Sequence, residues 1–381
     1  GVLTATISAS TLSSLASLTD ANSNNALSIT VSDTGTIAAA DLNTLAGKTT
    51  GTVTATAATA ITGTAADIAT SLGSSSIAHS QANITATISD TGSVAAADLN
   101  TIDTNSDNAV AAGTATAITG SAAAIATALS SSGITDAASI TATVGAGSAS
   151  AADLNTINAN TTTDVVASAV TDVTGTAVAI ITAYQASGMT GLGNETVNAN
   201  SGNTNVAQFL TIDNETSGVI TATIDEGDIT TLATISGTGN ALSITVTDTG
   251  VTAAELNTLN GKTSVAIDST AVTTIESSAV ADVNTMVTNN ADIGLDSDWN
   301  VTLSDAALSA AEVKAVNAGT SGEITMSAAE TIEASSVSDI LEIVQNTGAT
   351  FVTASNYAVT LNDTSASAER NKASIQTIII P

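Results

Sequence analysis

The chain has 381 residues, 43% of them apolar but only 1% aromatic, and 35 acidic against five basic residues give it a formal charge of −30. A field of that sign repels nucleic acid and anionic lipid and attracts cations. The absence of cysteine excludes disulfides and thiolate metal sites, and no apolar run reaches the roughly 18 residues that cross a bilayer as a helix.

From the N-terminus, Leu12-Ser13-Ser14-Leu15 is a partial copy of a motif first complete as Ala40-Asp41-Leu42-Asn43-Thr44-Leu45. The motif returns at Ala97-Asp98-Leu99-Asn100, Ala152-Asp153-Leu154-Asn155 and Ala254-Glu255-Leu256-Asn257, and more loosely around Gln208 and Glu312. The steps from 41 to 98, 153, 208, 255 and 312 are 57, 55, 55, 47 and 57 residues. A period in this range marks stacked repeats. A sister motif, Gly63-Thr64-Ala65-Ala66-Asp67-Ile68, recurs from Gly120 and Gly175 and near Asp228, Asp282 and Asp339. Interleaving both sets gives steps of 26, 31, 26, 29, 26, 29, 20, 27, 27, 30 and 27 residues, a coil of close to 27.

Each coil reads alike. An alternating β-branched segment (28–32, 84–88, 244–247) turns one face inward and its Ser and Thr outward, as in a half-buried strand. An Asp-Thr-Gly turn follows at 33–35, 90–92 and 248–250, where Asp bonds backbone. Leu42 with Leu45, and Ile68 with Leu72, then share the inner face of one or two helical turns. This predicts an α/β solenoid with a parallel β-sheet and short helices, laid out like leucine-rich repeats, with an all-β helix as the alternative. Thirteen or fourteen coils about 4.8 Å apart would span roughly 65 Å. Narrow coils are well filled by Ala, Val, Ile and Leu, which suits a chain poor in aromatics. Coils are expected over 1–193 and 240–381, with an irregular coil or junction over 194–239, where the step shortens to 20.

The first-turn acids (Asp41, Asp67, Asp98, Asp153, Glu255, Asp282, Glu312, Asp339) oppose the helix dipole and cap free N–H groups. Asn43, Asn100, Asn155, Asn257 and Asn284 are expected to bond loop backbone. Metal is considered at Asp225, Glu226 and Asp228 and at Asp296 and Asp298, where close carboxylates would suit Ca²⁺; solvated loop acids are the other reading. Asn-x-Thr sequons occur at 83, 194, 214, 300 and 362. Catalysis finds little support. His79 is the sole histidine, no Gly-x-Ser-x-Gly elbow surrounds a serine, and the paired acids lack the aromatic sugar platforms of a glycosidase. The chain is therefore not read as an enzyme.

Ile375-Gln376-Thr377-Ile378-Ile379-Ile380 is an unusually apolar stretch before Pro381. It reads either as a last strand closing the core or as a strand pairing with the first coil of another molecule, around Leu3 and Ile7. A start at Gly1 suggests a processed product or a segment of a longer chain.

The run Asp33-Thr34-Gly35 … Ala40-Asp41-Leu42-Asn43-Thr44-Leu45-Ala46-Gly47-Lys48-Thr49, with Ala253-Ala254-Glu255-Leu256-Asn257-Thr258-Leu259, resembles repeats of very large secreted surface proteins of marine picocyanobacteria, and related repeats in fibre-like proteins of their phages. The likeness covers most of 27–190 and 241–345 and fades around 195–235. It implies an extracellular, cell-surface structural protein, a fibre, sheath or layer built by end-to-end or lateral contacts with its own copies or with other surface-layer components. An adhesin or phage-type fibre gripping a glycan, with Trp299 and Tyr184 as candidate aromatics, is the alternative.

Overall fold

A computed structural model describes residues 1–19, 24–112, 114–336, 339–340, 351–353 and 358–361. The chain divides into two units, residues 1–198 with 215–218, and residues 199–214 with 219–381.

The first unit carries helices α1 (Leu12–Leu15), α2 (Ala39–Ala46), α3 (Ala65–Gly73), α4 (Ala96–Thr104), α5 (Ala122–Ser130), α6 (Ala151–Asn160) and α7 (Ala177–Tyr184), each packed on the next. Among the described residues the strand pairs are parallel, so the fold is a repeating α/β array of parallel sheets with short helices. Inward side chains such as Ile29, Val53, Ile61, Ala86, Ile88 and Ile118 are buried, while Thr30 beside Ile29, and Thr85 and Thr87 beside Ala86 and Ile88, face water.

The alternating long and short steps have a structural cause. Most strand partners in the first unit lie 24 or 25 residues apart, as in Ile37↔Ile61, Val53↔Ile77, Ile61↔Ala86 and Ile118↔Ala142, with 22 at Thr4↔Ala26 and 23 at Ala142↔Val165. One coil is thus 24 residues by hydrogen-bond register, shorter than the 27 expected. The short helix-to-helix steps hold two strands (53–54 and 60–63; 110–111 and 117–120), and the long steps hold three (77–78, 85–88 and 93–95; 134–135, 141–144 and 147–150). The third strand opens a new sheet, so sheets begin at 36–38, 93–95 and 147–150. The 55-residue period is the period of sheet initiation.

Between helices, Asn43 Nδ2 donates to the Asp67 carbonyl, Asn100 to Ala124 and Asn155 to Ala179, each at 2.9 Å. These asparagines therefore bond the first turn of the next helix rather than loop backbone. Asn43 Oδ1 in turn accepts from Ser71 Oγ at 2.6 Å. The equivalent of Ser71 in α5 is Ala128, fully buried, and Asn100 Oδ1 is buried without a partner. Restoring the donor should help: Ala128→Ser is expected to stabilise the first unit by about 1 kcal/mol, read as a raised urea midpoint, and an unchanged midpoint would rule out this pairing.

The second unit carries α8 (Val206–Asp213), α9 (Ile229–Leu232), α10 (Ala253–Asn260), α11 (Val280–Thr288), α12 (Asn290–Ile293) and α13 (Ala310–Asn317). Asn257 bonds the Asp282 carbonyl at 2.8 Å and Asn284 that of Glu312 at 3.2 Å, continuing the same device. The short step is a genuine 20-residue coil, with Thr221↔Ala241 paired and Asn240 Oδ1 accepting from Ile220 N at 2.8 Å. Phe209 and Trp299, the largest fully buried side chains among the described residues, sit in this unit.

Candidate functional site

Polar side chains in this fold are spent mainly on joining coils. The Asp of each Asp-Thr-Gly turn accepts the first N–H of the preceding helix: Asp33 from Leu12, Asp90 from Ala65 (both 2.7 Å) and Asp248 from Ile229 (2.6 Å). Asp305 does so for Val280 at 2.7 Å. A carboxylate at that end meets both the unpaired N–H and the positive pole of the helix. Within helices, the expected acid in the first turn is present in α2, α3, α4, α6, α10, α11 and α13. Glu255 and Glu312 complete capping boxes with Thr252 and Ser309. Asp98 in α4 is pushed above the usual carboxylate range, first by burial and then by the charge of Asp90.

A second recurrent element is a hydroxyl following alternate helices. Thr49, Ser106, Thr216, Thr263 and Thr320 donate to the carbonyls of Leu27, Ile84, Glu195, Leu242 and Trp299 one coil back. All five accept the N–H two residues on, from Gly51, Asn108, Gly218, Val265 and Gly322. The carbonyl column is apolar in every copy but one. Glu195 holds the place of Leu27, Ile84, Leu242 and Trp299, and it is only 2% exposed.

A cradle forms around that carboxylate. Gly193 N donates to Oε1 at 3.0 Å and to Oε2 at 2.9 Å, Asn194 N donates to Oε2 at 3.1 Å, and the Tyr184 hydroxyl donates to Oε1. Gly193 reaches this position with φ 134°, a left-handed conformation that favours glycine. Burial, then the hydrogen bond to and the charge of Glu195, push the Tyr184 hydroxyl well above the usual tyrosine range. The neighbouring charge is another carboxylate, Glu215. Chemically this is a polar lock: donors converge on an anion and leave no reactive group open to a substrate. The residue was legible in sequence only as a charge standing in an apolar repeat column.

The acids considered for Ca²⁺ have separate duties. Asp225 Oδ1 accepts from Asn203 Nδ2 at 2.7 Å, and Glu226 Oε2 accepts Val206 N, opening α8, at 2.9 Å. Asp228 caps α9, bonding Thr230 N at 3.0 Å and both threonine hydroxyls, of Thr230 and Thr231, at 2.6 Å. Asp296 and Asp298 are exposed on the loop before the strand at 300–303. Among the described residues no three or more His, Asp or Glu side chains gather as an ion cage. His79 Nε2 lies 3.3 Å from the Asn105 carbonyl, with no acid or nucleophile bonded to it.

The cap on α9 carries a pH prediction. Hydrogen bonds from the Thr230 and Thr231 hydroxyls lower the Asp228 carboxyl from 3.8 to about 2. A depressed folded-state value means the cap's contribution is complete above the unfolded value and is lost as pH falls through the folded one. Carboxyl NMR should therefore place the Asp228 midpoint near 2, with α9 fraying between pH 3.8 and that value; Asp228→Ala should fray α9 at neutral pH. A midpoint at the ordinary position would show that the cap does not form in solution.

Of the residues proposed for self-association, Leu3 is 58% exposed and Ile7 half-buried on the first strand, Thr4–Ser10. Ile375, Ile378, Ile379 and Ile380 lie outside the described residues. No helix among the described residues is long and apolar enough to cross a membrane. No protein-family model matches the chain, and neither does any curated protein or solved structure.

Proposed function

We propose that the chain is a structural repeat protein of the cell exterior, working as a self-associating element of a fibre, sheath or layer. One observation carries this reading: the side chains that recur with the repeat, namely the turn aspartates, the helix asparagines and the buried hydroxyls, all bond one coil to its neighbour. Such investment serves cohesion along a stack. The setting outside the cell is supported by the acidic, cysteine-free composition and by the resemblance of the repeats to secreted surface proteins. A glycan-binding fibre module is supported less, because Trp299 is 1% exposed and the Tyr184 hydroxyl is committed to Glu195. Negative-stain electron microscopy of the purified chain, with Ca²⁺ and then with chelator, tests the reading. Fibres or sheets of uniform width are expected; single molecules at every concentration and in both conditions would sink it.

A further inference from the structure

Asn-x-Thr is the acceptor pattern for an N-linked sugar, a bulky addition that only the surface can take. Among the described residues it occurs at Asn83, Asn194, Asn214 and Asn300, and also at Asn160, which precedes Thr161-Thr162. The fold treats these places differently. At Asn214 the required threonine, Thr216, is buried and donates to the Glu195 carbonyl at 2.8 Å. Asn300 and Thr302 lie within a strand paired on both sides, and Asn300 Oδ1 accepts Glu323 N at 2.7 Å. Asn160 Nδ2 donates back to the Thr156 carbonyl at 2.8 Å, and the Thr162 hydroxyl donates to that of Ala138 at 3.0 Å.

Asn83 and Asn194 stand at the same point of two coils, directly ahead of Ile84 and Glu195 in the repeat column. Their surroundings set them apart. One coil back from Thr196 is Asp172, whose Oδ1 accepts the Thr196 hydroxyl at 2.8 Å, and the Asn194 N–H is committed to Glu195. One coil back from Thr85 is Ala60, which has no side-chain oxygen to take the hydroxyl. Asn83 and Thr85 are both exposed. Asn83 ends a turn held by local bonds to Ser80: Nδ2 donates to Ser80 Oγ at 3.0 Å, and the backbone N–H to the Ser80 carbonyl at 3.2 Å. Such a turn can bend into a transferase without separating two coils.

We propose that Asn83 is a glycosylation site, the place among the described sequons where the folded chain accepts an N-linked sugar from a nucleotide-activated hexose. Asn83 Nδ2 bonds the anomeric carbon of the hexose as the bond from that carbon to the phosphate oxygen breaks. The nucleoside diphosphate leaves with the bonding pair, and the amide proton passes to a base of the transferase. Modification at this turn is independent of self-association, so either reading can fail without the other.

The test incubates the folded, full chain with UDP-glucose and a soluble N-glycosyltransferase that reads Asn-x-Ser/Thr, followed by intact mass and peptide mapping. Parent, Asn83→Gln, Thr85→Val, Thr85→Ser and Asn194→Gln are compared. Asn83 and Thr85 are exposed, so these substitutions spare the interior, and circular dichroism checks that each variant is folded. The expected result is a hexose on Asn83 of the parent, lost in Asn83→Gln and in Thr85→Val, which keeps a β-branched residue in the strand. It should persist in Thr85→Ser, which keeps the hydroxyl, and in Asn194→Gln. A folded parent that takes no hexose at Asn83 overturns the proposal. So does a parent modified equally at Asn160, Asn194, Asn214 or Asn300, because the fold then makes no selection. Modification of Asn83 that survives in Thr85→Val would show that the sequon is not what is read, and would overturn it as well.

Discussion

Gly218→Ala is expected to destabilise the first unit by about 3 kcal/mol, near the top of the range for forcing atoms into a filled interior. A Cβ at this position would press on the carbonyl group of Glu195 and come within 2.9 Å of Thr196 N. Both are backbone atoms of the neighbouring coil, held by strand pairing, and cannot swing aside as a side chain would. Gly51 meets Leu27 in the same way, and Gly322 meets Trp299, so Gly51→Ala and Gly322→Ala should behave alike. Gly35 provides the contrast, since nothing lies within 4 Å of its Cβ position. Gly35→Ala should be neutral or stabilising by about 0.5 kcal/mol, because alanine restricts the unfolded chain. Repeat arrays do not always unfold in one step. The measurement is therefore amide hydrogen exchange: protection around 193–198 should collapse in Gly218→Ala and persist in Gly35→Ala. Equal protection in both would show that the coils separate readily at the crossing.

The second large effect belongs to Glu195. Glu195→Ala removes the acceptor for Gly193 N, Asn194 N and the Tyr184 hydroxyl and opens a cavity at a core position. A stability loss of about 3–5 kcal/mol follows from several unpaired donors together with lost packing. Tyr184→Phe deletes a single donor and leaves the carboxylate its backbone partners, so a loss of about 1–2 kcal/mol is expected. The two residues touch, so their effects should not add: the double variant should lose less than the sum of the single losses. Additive losses would mean that the hydroxyl and the carboxylate do not share a bond in solution. Glu195→Leu restores the residue type of Leu27 and Leu242. It refills the space without satisfying the donors, and its loss should fall between those of Tyr184→Phe and Glu195→Ala.

Much of the architecture is written in the sequence, because stacking repeats the same local demand in every coil. Leu42 with Leu45 and Ile68 with Leu72 mark helices by spacing alone, and their acids mark the first turns. Alternation in 84–88 marks a strand with its inner face apolar, as found. The short step between 208 and 228 marks the irregular coil. These features depend on a residue and its near neighbours, and periodicity reports them directly.

Partners one coil away were not legible. That Asp90 caps α3 across 25 residues, and that Asn100 reaches the next helix across 24, follows from register. In most of the first unit register is set close to 24 by strand pairing, and the 27-residue average of the motifs conceals it because the surplus residues open a new sheet in alternate coils. The role of Glu195 was hidden for a different reason: its donors, Gly193, Asn194 and Tyr184, are near in sequence, and only the path of the turn after α7 folds them onto one carboxylate. The sequence by itself determined which residues face inward and how often a helix recurs, since both depend on local side-chain periodicity. The tertiary structure decided which polar group meets which, because hydrogen bonds between coils depend on a register that no single coil contains.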